Sequence, residues 1–270
     1  MFPVDGGFTQ TGEETPELAG GNPGLAAEKA EISTAGFTWL PVVPEGLELS
    51  VDFYDITIDN GVASLGAETI LAQRLATGAD AFCRRIERAP DGSIERIQAQ
   101  LQNLATESAR GVDIDLRYSL DAFGGELAQR LLLSYVDERA LVAFPGAEPL
   151  VGAGGYDRDT FGAIPVWRGS YRLNWSGGRW RGGYEAQWIG AIDETGGAVV
   201  PGTVNAVDAE IYHDVHLSYD VAPRVTLAIG IDNVTDEQPP FFGNADEANT
   251  DVSTYRLLGT TGWLRLSMEL

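Results

Sequence analysis

The last eight residues, Trp263 to Leu270, alternate without a break: Leu264, Leu266, Met268 and Leu270 on one face, Arg265, Ser267 and Glu269 on the other. Period two is the strand period. A soluble protein rarely exposes an edge strand whose outer face is wholly apolar, because an open edge invites aggregation. A closed barrel in a membrane requires such a strand, with lipid on one side and a wet interior on the other.

The pattern recurs eight more times towards the N-terminus. The expected strands are Glu28 to Leu40, Leu47 to Ile58, Arg110 to Leu120, one around Leu127 to Tyr135, one from Trp167 to Trp175, one from Trp180 to Trp188, one from Ile211 to Tyr219, and one from Val225 to Ile231. Gln129 interrupts the apolar face of the fourth. Short turns, Pro41–Gly46, Asp121–Gly125, Ser176–Arg179 and Val221–Arg224, follow alternate strands, and long connections follow the rest. One plain rim and one elaborated rim is the asymmetry of an outer-membrane barrel; the Greek-key crossings of a sandwich do not sort loops this way. The expected fold is therefore all-β, an antiparallel transmembrane barrel segment of about nine long strands. Trp175 and Trp180 flank one tight turn, and Trp167 and Trp188 sit at the far ends of the same two strands, where amphipathic rings mark the two membrane interfaces.

The longest connection, 61–107, carries Ile70, Leu71, Leu75 and Phe82 at near-helical spacing, which predicts one short helix interrupted at Gly78. Pro90-Asp91-Gly92 reads as a turn, followed by a short strand over Ser93–Gln98. This loop either caps the barrel mouth or packs on the rim; both readings stay open.

A net charge of −22 argues against nucleic-acid partners, which demand basic surface, and fits solvated acidic loops better than dedicated cation sites. The single cysteine, Cys83, excludes an internal disulfide. The N-terminal residues Met1 to Asp5 lack a basic segment and an apolar core, so no secretory signal is encoded there. No catalytic constellation is legible: His213 and His216 are three apart on a strand and face opposite ways, and no phosphate loop, nucleophile elbow or zinc-protease motif occurs. The chain is read as a non-enzyme with no cofactor and no metal site. What remains is a mixed-charge interior. Arg117, Arg168, Arg172, Arg181, Glu185 and Asp214 are the candidates for a ligand path, with Asp113 and Asp115 beside them. Pairing among themselves, or with a plug, is the commoner fate of such charges than contact with a solute.

Four stretches carry a family resemblance. Gly21-Asn22-Pro23-Gly24-Leu25 with Glu28-Lys29-Ala30-Glu31 resembles the segment entering a late barrel strand of TonB-dependent outer-membrane receptors, and Leu49 to Ile56 resembles the strand after it. Gly230 to Pro240 is similar to the penultimate strand and its exit, and Asp251 to Leu270 to the last loop and strand. The resemblance implies that residues 1–270 are the C-terminal part of a barrel of about 22 strands, in the outer membrane of a Gram-negative cell. It implies energised uptake of a scarce ligand, a siderophore, a cobalamin-like cofactor or an oligosaccharide. The partners it implies are outer-membrane lipid, further N-terminal barrel strands, a plug, and TonB only through that plug. Three departures stand out. No plug or TonB-contacting segment is recognisable here; Arg74 occupies the place of a second loop cysteine, so Cys83 lacks the family's usual disulfide partner; and the chain ends on Leu270 where the family ends on an aromatic. These departures predict a chain inactive by itself. The competing reading is a soluble or surface β-protein that binds glycans through an aromatic face.

Overall fold

The computed structural model describes residues 2–3, 9–10, 16–157, 160–194, 206–243, 245 and 248–268. Glu269 and Leu270 of the terminal strand, and Met1, Val4 and Asp5 of the N-terminal segment, lie outside them. The chain clusters into two compact units: residues 32–56, 108–140 and 150–270 form the larger, and 1–31, 57–107 and 141–149 the smaller.

The nine expected strands all form: β1 (Lys29–Trp39), β2 (Leu47–Ala63), β3 (Gln102–Ala122), β4 (Gly125–Val142), β5 (Trp167–Gly177), β6 (Trp180–Ile189), β7 (Glu210–Ala222), β8 (Val225–Asp232) and β9 (Thr261–Met268). They lie side by side in sequence order in one sheet, with β1 and β9 at its edges and a two-residue strand, Leu150–Val151, added against β4. Pairing from β4 through β9 is antiparallel, with unbroken registers such as Arg168↔Ile189 through Gly177↔Trp180; one bulge falls between Asp220 and Ala222. The tight turns explain the meander. Phe123 and Gly124, at φ 55° and 73°, supply the paired left-handed residues that match a two-residue hairpin to strand twist.

Register fixes the two faces. Trp180 pairs with Tyr219 and Leu173 with Tyr184, so the apolar sets of neighbouring strands fall together, and a one-residue slip would exchange them with the charges. Leu264, Leu266 and Met268 are 71%, 62% and 65% exposed, and Ile211, Val215, Leu217, Ile229 and Ile231 continue that face. Left in water, such side chains forgo about 1.5–3 kcal/mol each, and contiguous apolar surface of this extent marks contact with lipid or another apolar phase. Aromatics bound the face in two rows. Tyr135 packs on Trp167 at 4.8 Å, with Trp188 nearby in register; Trp180 packs on Tyr219 at 4.5 Å, with Trp175 alongside. From Trp167 to Trp175, from Trp180 to Trp188 and from Ile211 to Tyr219, each strand spans about nine residues between the rows, the length of a transmembrane strand. The polar groups on this face are matched to each other. Tyr171 Oη donates to Gln129 Oε1 at 2.7 Å, and Tyr184 Oη lies 2.8 Å from His213 Nδ1. The interruption at Gln129 is thus a hydrogen-bonded pair rather than a bare amide.

In the smaller unit, α1 (Ala67–Thr77) and α2 (Asp80–Cys83) pack with a three-stranded sheet in the order Glu17–Gly20, Ile94–Gln100, Ile86–Arg88. The expected helix is divided at Gly78, whose φ of 61° ends α1 and whose N–H closes on Arg74 O. Ile70, Leu71, Phe82, Ile86, Ile94, Ile97 and Phe144 form the core, while Leu75, counted in the helical pattern, is 63% exposed. The expected strand over Ser93–Gln98 is Ile94–Gln100; Asp91 closes the turn before it by accepting from Ser93 N and Oγ. The limits of the long connection also change. β2 runs to Ala63 and β3 starts at Gln102, so the connection is 64–101 rather than 61–107. Cys83 is a free thiol.

Candidate functional site

The polar face is built from alternate residues of the same strands, so its chemistry follows from the register. Asp113, Asp115 and Arg117 come from β3; Arg130, Leu132 and Ser134 from β4; Arg168, Ser170 and Arg172 from β5; Glu185 and Gln187 from β6; Asp214 and His216 from β7. Gly183 has no Cβ because the His216 ring lies over it: a Cβ there would come within 2.1 Å of Cε1.

Most of the charges are neutralised by one another. Asp115 takes a bidentate contact from Arg130 at 2.9–3.0 Å and another from Arg117 at 2.6 Å, and Arg117 reaches Glu48 at 4.0 Å. Arg172 pairs with Glu185 at 3.0 Å. Ser134 Oγ donates to Asp113 at 2.5 Å. At the short-turn end of the strands, Arg181 holds Asp220 through two bonds of 3.0 and 2.6 Å. Asp214 holds Arg256 at 2.7 and 2.9 Å. The more exposed of these pairs add little to stability, because water and salt screen them. Their larger effect is to leave little free charge along this face.

Arg168 differs. Its side chain makes no hydrogen bond or ion pair with the described residues, and it lies in a cavity of about 520 Å³ together with Ser170, Gln187, Trp188, Asp52 and Asp113. Of the six sequence-predicted candidates, Arg168, Arg172 and Glu185 line this cavity. Arg117 and Asp214 lie on the same face but outside it, and Arg181 belongs to a separate cavity at the short-turn end. His213 and His216 point to opposite faces, as their spacing requires, so they cannot share a metal ion.

At the other end of the larger unit the long connections carry a core of their own. Short strands Gly162–Ile164, Gly155–Asp157, Ile192–Glu194 and Ala206–Val207 make a four-stranded sheet. Tyr156, Ile189, Ile192, Tyr212, Phe242 and Tyr255 bury themselves against it, with Tyr156 and Phe242 rings 4.3 Å apart. Asp251 pins the sheet to the last connection: Oδ2 accepts Ala163 N–H at 2.8 Å, and Oδ1 accepts Ser253 N–H and Oγ–H at 3.0 and 2.7 Å. Burial pushes its carboxyl up, but these bonds outweigh burial and hold it below the ordinary range. Arg256, in the same connection, reaches Asp214 and Gln187 and stacks over the Tyr212 ring at 5.1 Å. Glu210 lies beyond the aromatic rows, and burial, then its hydrogen bond to Glu237 and the repulsion of Glu237 and Asp208, push its carboxyl to about 7.

Sequence reasoning did not single out Arg130, Arg256 or Glu210. Arg130 was within reach of the alternation, two residues from Ala128 and Leu132 on the polar side of β4. Arg256 sits in irregular chain, where no periodicity assigns a direction.

The family model described as TonB dependent receptor-like, β-barrel, matches residues 3–234. Among solved structures, a mutant of the ferric enterobactin receptor PfeA from Pseudomonas aeruginosa aligns with TM-score 0.60 at 17% identity, covering 92% of this chain and 32% of its own. The siderophore receptor PirA from Acinetobacter baumannii aligns with TM-score 0.59 at 11% identity over 90% of this chain and 32% of its own. The FrpB iron transporter from Neisseria meningitidis aligns with TM-score 0.57 at 14% identity over 92% and 31%. This chain therefore spans about a third of the length of these solved proteins. At such identities the likeness is one of fold. Among curated protein sequences none matches this chain.

Proposed function

We propose, from the premise that this chain belongs to the TonB-dependent receptor-like β-barrel family, that it forms part of the wall of an outer-membrane receptor for energised uptake of a scarce ligand. Members of that family are outer-membrane receptors, not enzymes. Residues 1–270 are read as the C-terminal portion of the barrel, with the 64–101 connection on the extracellular side, the short turns in the periplasm, and the aromatic rows at the two lipid interfaces. Coupling to TonB runs through a plug. Among the described residues the sheet ends in two unpaired edges, β1 and β9. In hydrocarbon each unpaired backbone group costs several kcal/mol, so a polypeptide of these residues alone is expected to transport nothing.

A ferric siderophore is preferred over a cobalamin-like cofactor or an oligosaccharide, because the aligned structures are siderophore and iron receptors. The observation that carries the site is Arg168, a guanidinium with no partner among the described residues in a cavity whose other cation, Arg172, is already paired. A planar, permanently charged fork free of local partners is suited to hold an anionic oxygen-rich ligand. The glycan-binding alternative is disfavoured by placement, since the aromatics form two separated rows bounding an apolar face rather than one platform.

The test is binding of a radio-iron-loaded catecholate siderophore to the detergent-solubilised receptor carrying this chain. Arg168→Ala is expected to weaken binding about tenfold or more, the loss of one charge-assisted contact, while Arg181→Ala, outside the cavity, leaves it unchanged. Equal affinity in wild type and Arg168→Ala would remove the site. Partition of the protein into a detergent-free aqueous phase would remove the membrane reading itself.

A further inference from the structure

The chain is strongly acidic, yet three arginines converge on the inner side of its short-turn rim. Arg179 sits in the β5–β6 turn, Arg181 is the second residue of β6 on the polar face, and Arg224 sits in the β7–β8 turn; all three line one cavity of about 410 Å³. Thr226 and Ser267 add hydroxyls from β8 and β9, and among the described residues the acid lining it is Asp220. That acid is saturated. It accepts Arg181 at 3.0 and 2.6 Å and Thr226 Oγ1 at 2.7 Å, and its carboxyl, beyond the aromatic row, is held below the ordinary range first by Arg181 and Thr226. The side chains of Arg179 and Arg224 make no hydrogen bond or ion pair with the described residues. Among the described residues, one carboxylate faces three guanidiniums here.

Arg224, at φ 69°, takes the left-handed backbone of a tight turn, as Phe123 does in the β3–β4 turn.

The shape of the site narrows the ligand. Arg181, Asp220, Thr226 and Ser267 lie on four adjacent strands, with Thr226 in register with both Asp220 and Ser267. Four strands at about 4.8 Å spacing make a row about 14 Å long. A single small oxyanion fills a fraction of that; an extended peptide of about four residues fills it. The row faces away from the apolar surface, so a lipid headgroup is not its occupant. From these observations we infer that the inner short-turn rim is a docking site for an acidic, extended polypeptide segment, whose carboxylates are received by Arg179 and Arg224. Its side is called periplasmic only through the family reading; the binding itself does not depend on that reading or on any siderophore.

The experiment is fluorescence anisotropy of a labelled peptide carrying four consecutive glutamates, titrated with the purified chain in non-ionic detergent. The glutamine version of the peptide and inorganic phosphate serve as competitors. The expected result is saturable binding of the glutamate peptide, weakened at least tenfold in the Arg179→Ala/Arg224→Gly double variant and by raised salt, with no competition from the glutamine peptide. Arg224→Gly relieves the turn, so the variant keeps its fold; Arg179→Ala alone, expected to weaken binding at least threefold, decides the matter if it does not. Equal affinity for the variants overturns the proposal. Displacement of the peptide by phosphate at equimolar concentration overturns it too, in favour of a small-anion site.

Discussion

Replacing Arg256 with alanine removes the contact by which the last long connection grips the polar face. The side chain makes two charge-assisted bonds to Asp214, at 2.7 and 2.9 Å, a third to Gln187 at 3.1 Å, and a cation–π contact to Tyr212 at 5.1 Å. Its pair with Asp214 is 30% and 20% exposed, between the surface and buried limits. Hydrogen bonds to charged groups contribute about 1.5–3 kcal/mol and the cation–π contact about 0.5–1 kcal/mol. Part of that loss is offset because Asp214 keeps the Asn233 N–H at 2.8 Å. The net expectation for Arg256→Ala is about 2–3 kcal/mol against opening of the 233–260 connection. Of this, about 1–2 kcal/mol should appear as coupling to Asp214 in a double-mutant cycle with Asp214→Asn. Native-state hydrogen exchange reads it directly. The Val234 N–H, bonded to His213 O at 2.8 Å, reports closure of this segment, and its protection should fall about 30- to 150-fold. A coupling energy below about 0.5 kcal/mol, the limit of additivity for independent sites, would refute the latch. So would a protection loss spread evenly along β7, because the grip would then not be local.

Asp251→Ala strips the Ala163 and Ser253 donors of their acceptor and should cost about 2–4 kcal/mol, with Asp251→Asn milder, measured as protease susceptibility of the 150–164 and 233–260 segments. Two pH effects oppose each other in the same loops. Asp251 has a depressed carboxyl, so its contribution is present above the ordinary carboxylate range and is lost as pH falls through the lowered value. Glu210 is raised to about 7, so its contribution is full below the ordinary value and is lost as pH rises through about 7. Screening limits that loss to about 1–2 kcal/mol, and Glu210→Gln should flatten the pH dependence of loop exchange between about pH 5 and 8. Val215→Arg places a charge on the apolar face midway between the aromatic rows and should cost about 2–4 kcal/mol in urea titrations of folding into lipid vesicles, whereas Val215→Leu should cost little.

How much was legible in the sequence divides along the line between local and non-local physics. Alternation with period two is a property of successive residues, and it marks all nine long strands, both faces, the tight turns and the aromatic rows. Strand ends were less legible: β3 starts at Gln102 rather than near Arg110, because Gln102 to Glu107 lack apolar contrast and only pairing with neighbours makes them strand. The same alternation put Arg117, Arg168, Arg172, Arg181, Glu185 and Asp214 on one face, but a face is not a site. Which of these charges is spent on a neighbour depends on cross-strand register and on side chains delivered by distant loops. Only the tertiary structure showed that Glu185 lies opposite Arg172, that Arg256 crosses from the last connection to take Asp214, and that Arg168 has no hydrogen-bond or ion-pair partner among the described residues. The loop core of Tyr156, Ile192, Tyr212, Phe242 and Tyr255 was equally invisible, since apart from Tyr212 on β7 its members come from loops or short strands with no long period to read. Sequence determined the sheet because each strand repeats one rule; the structure decided the chemistry because pairing between remote residues follows no local rule.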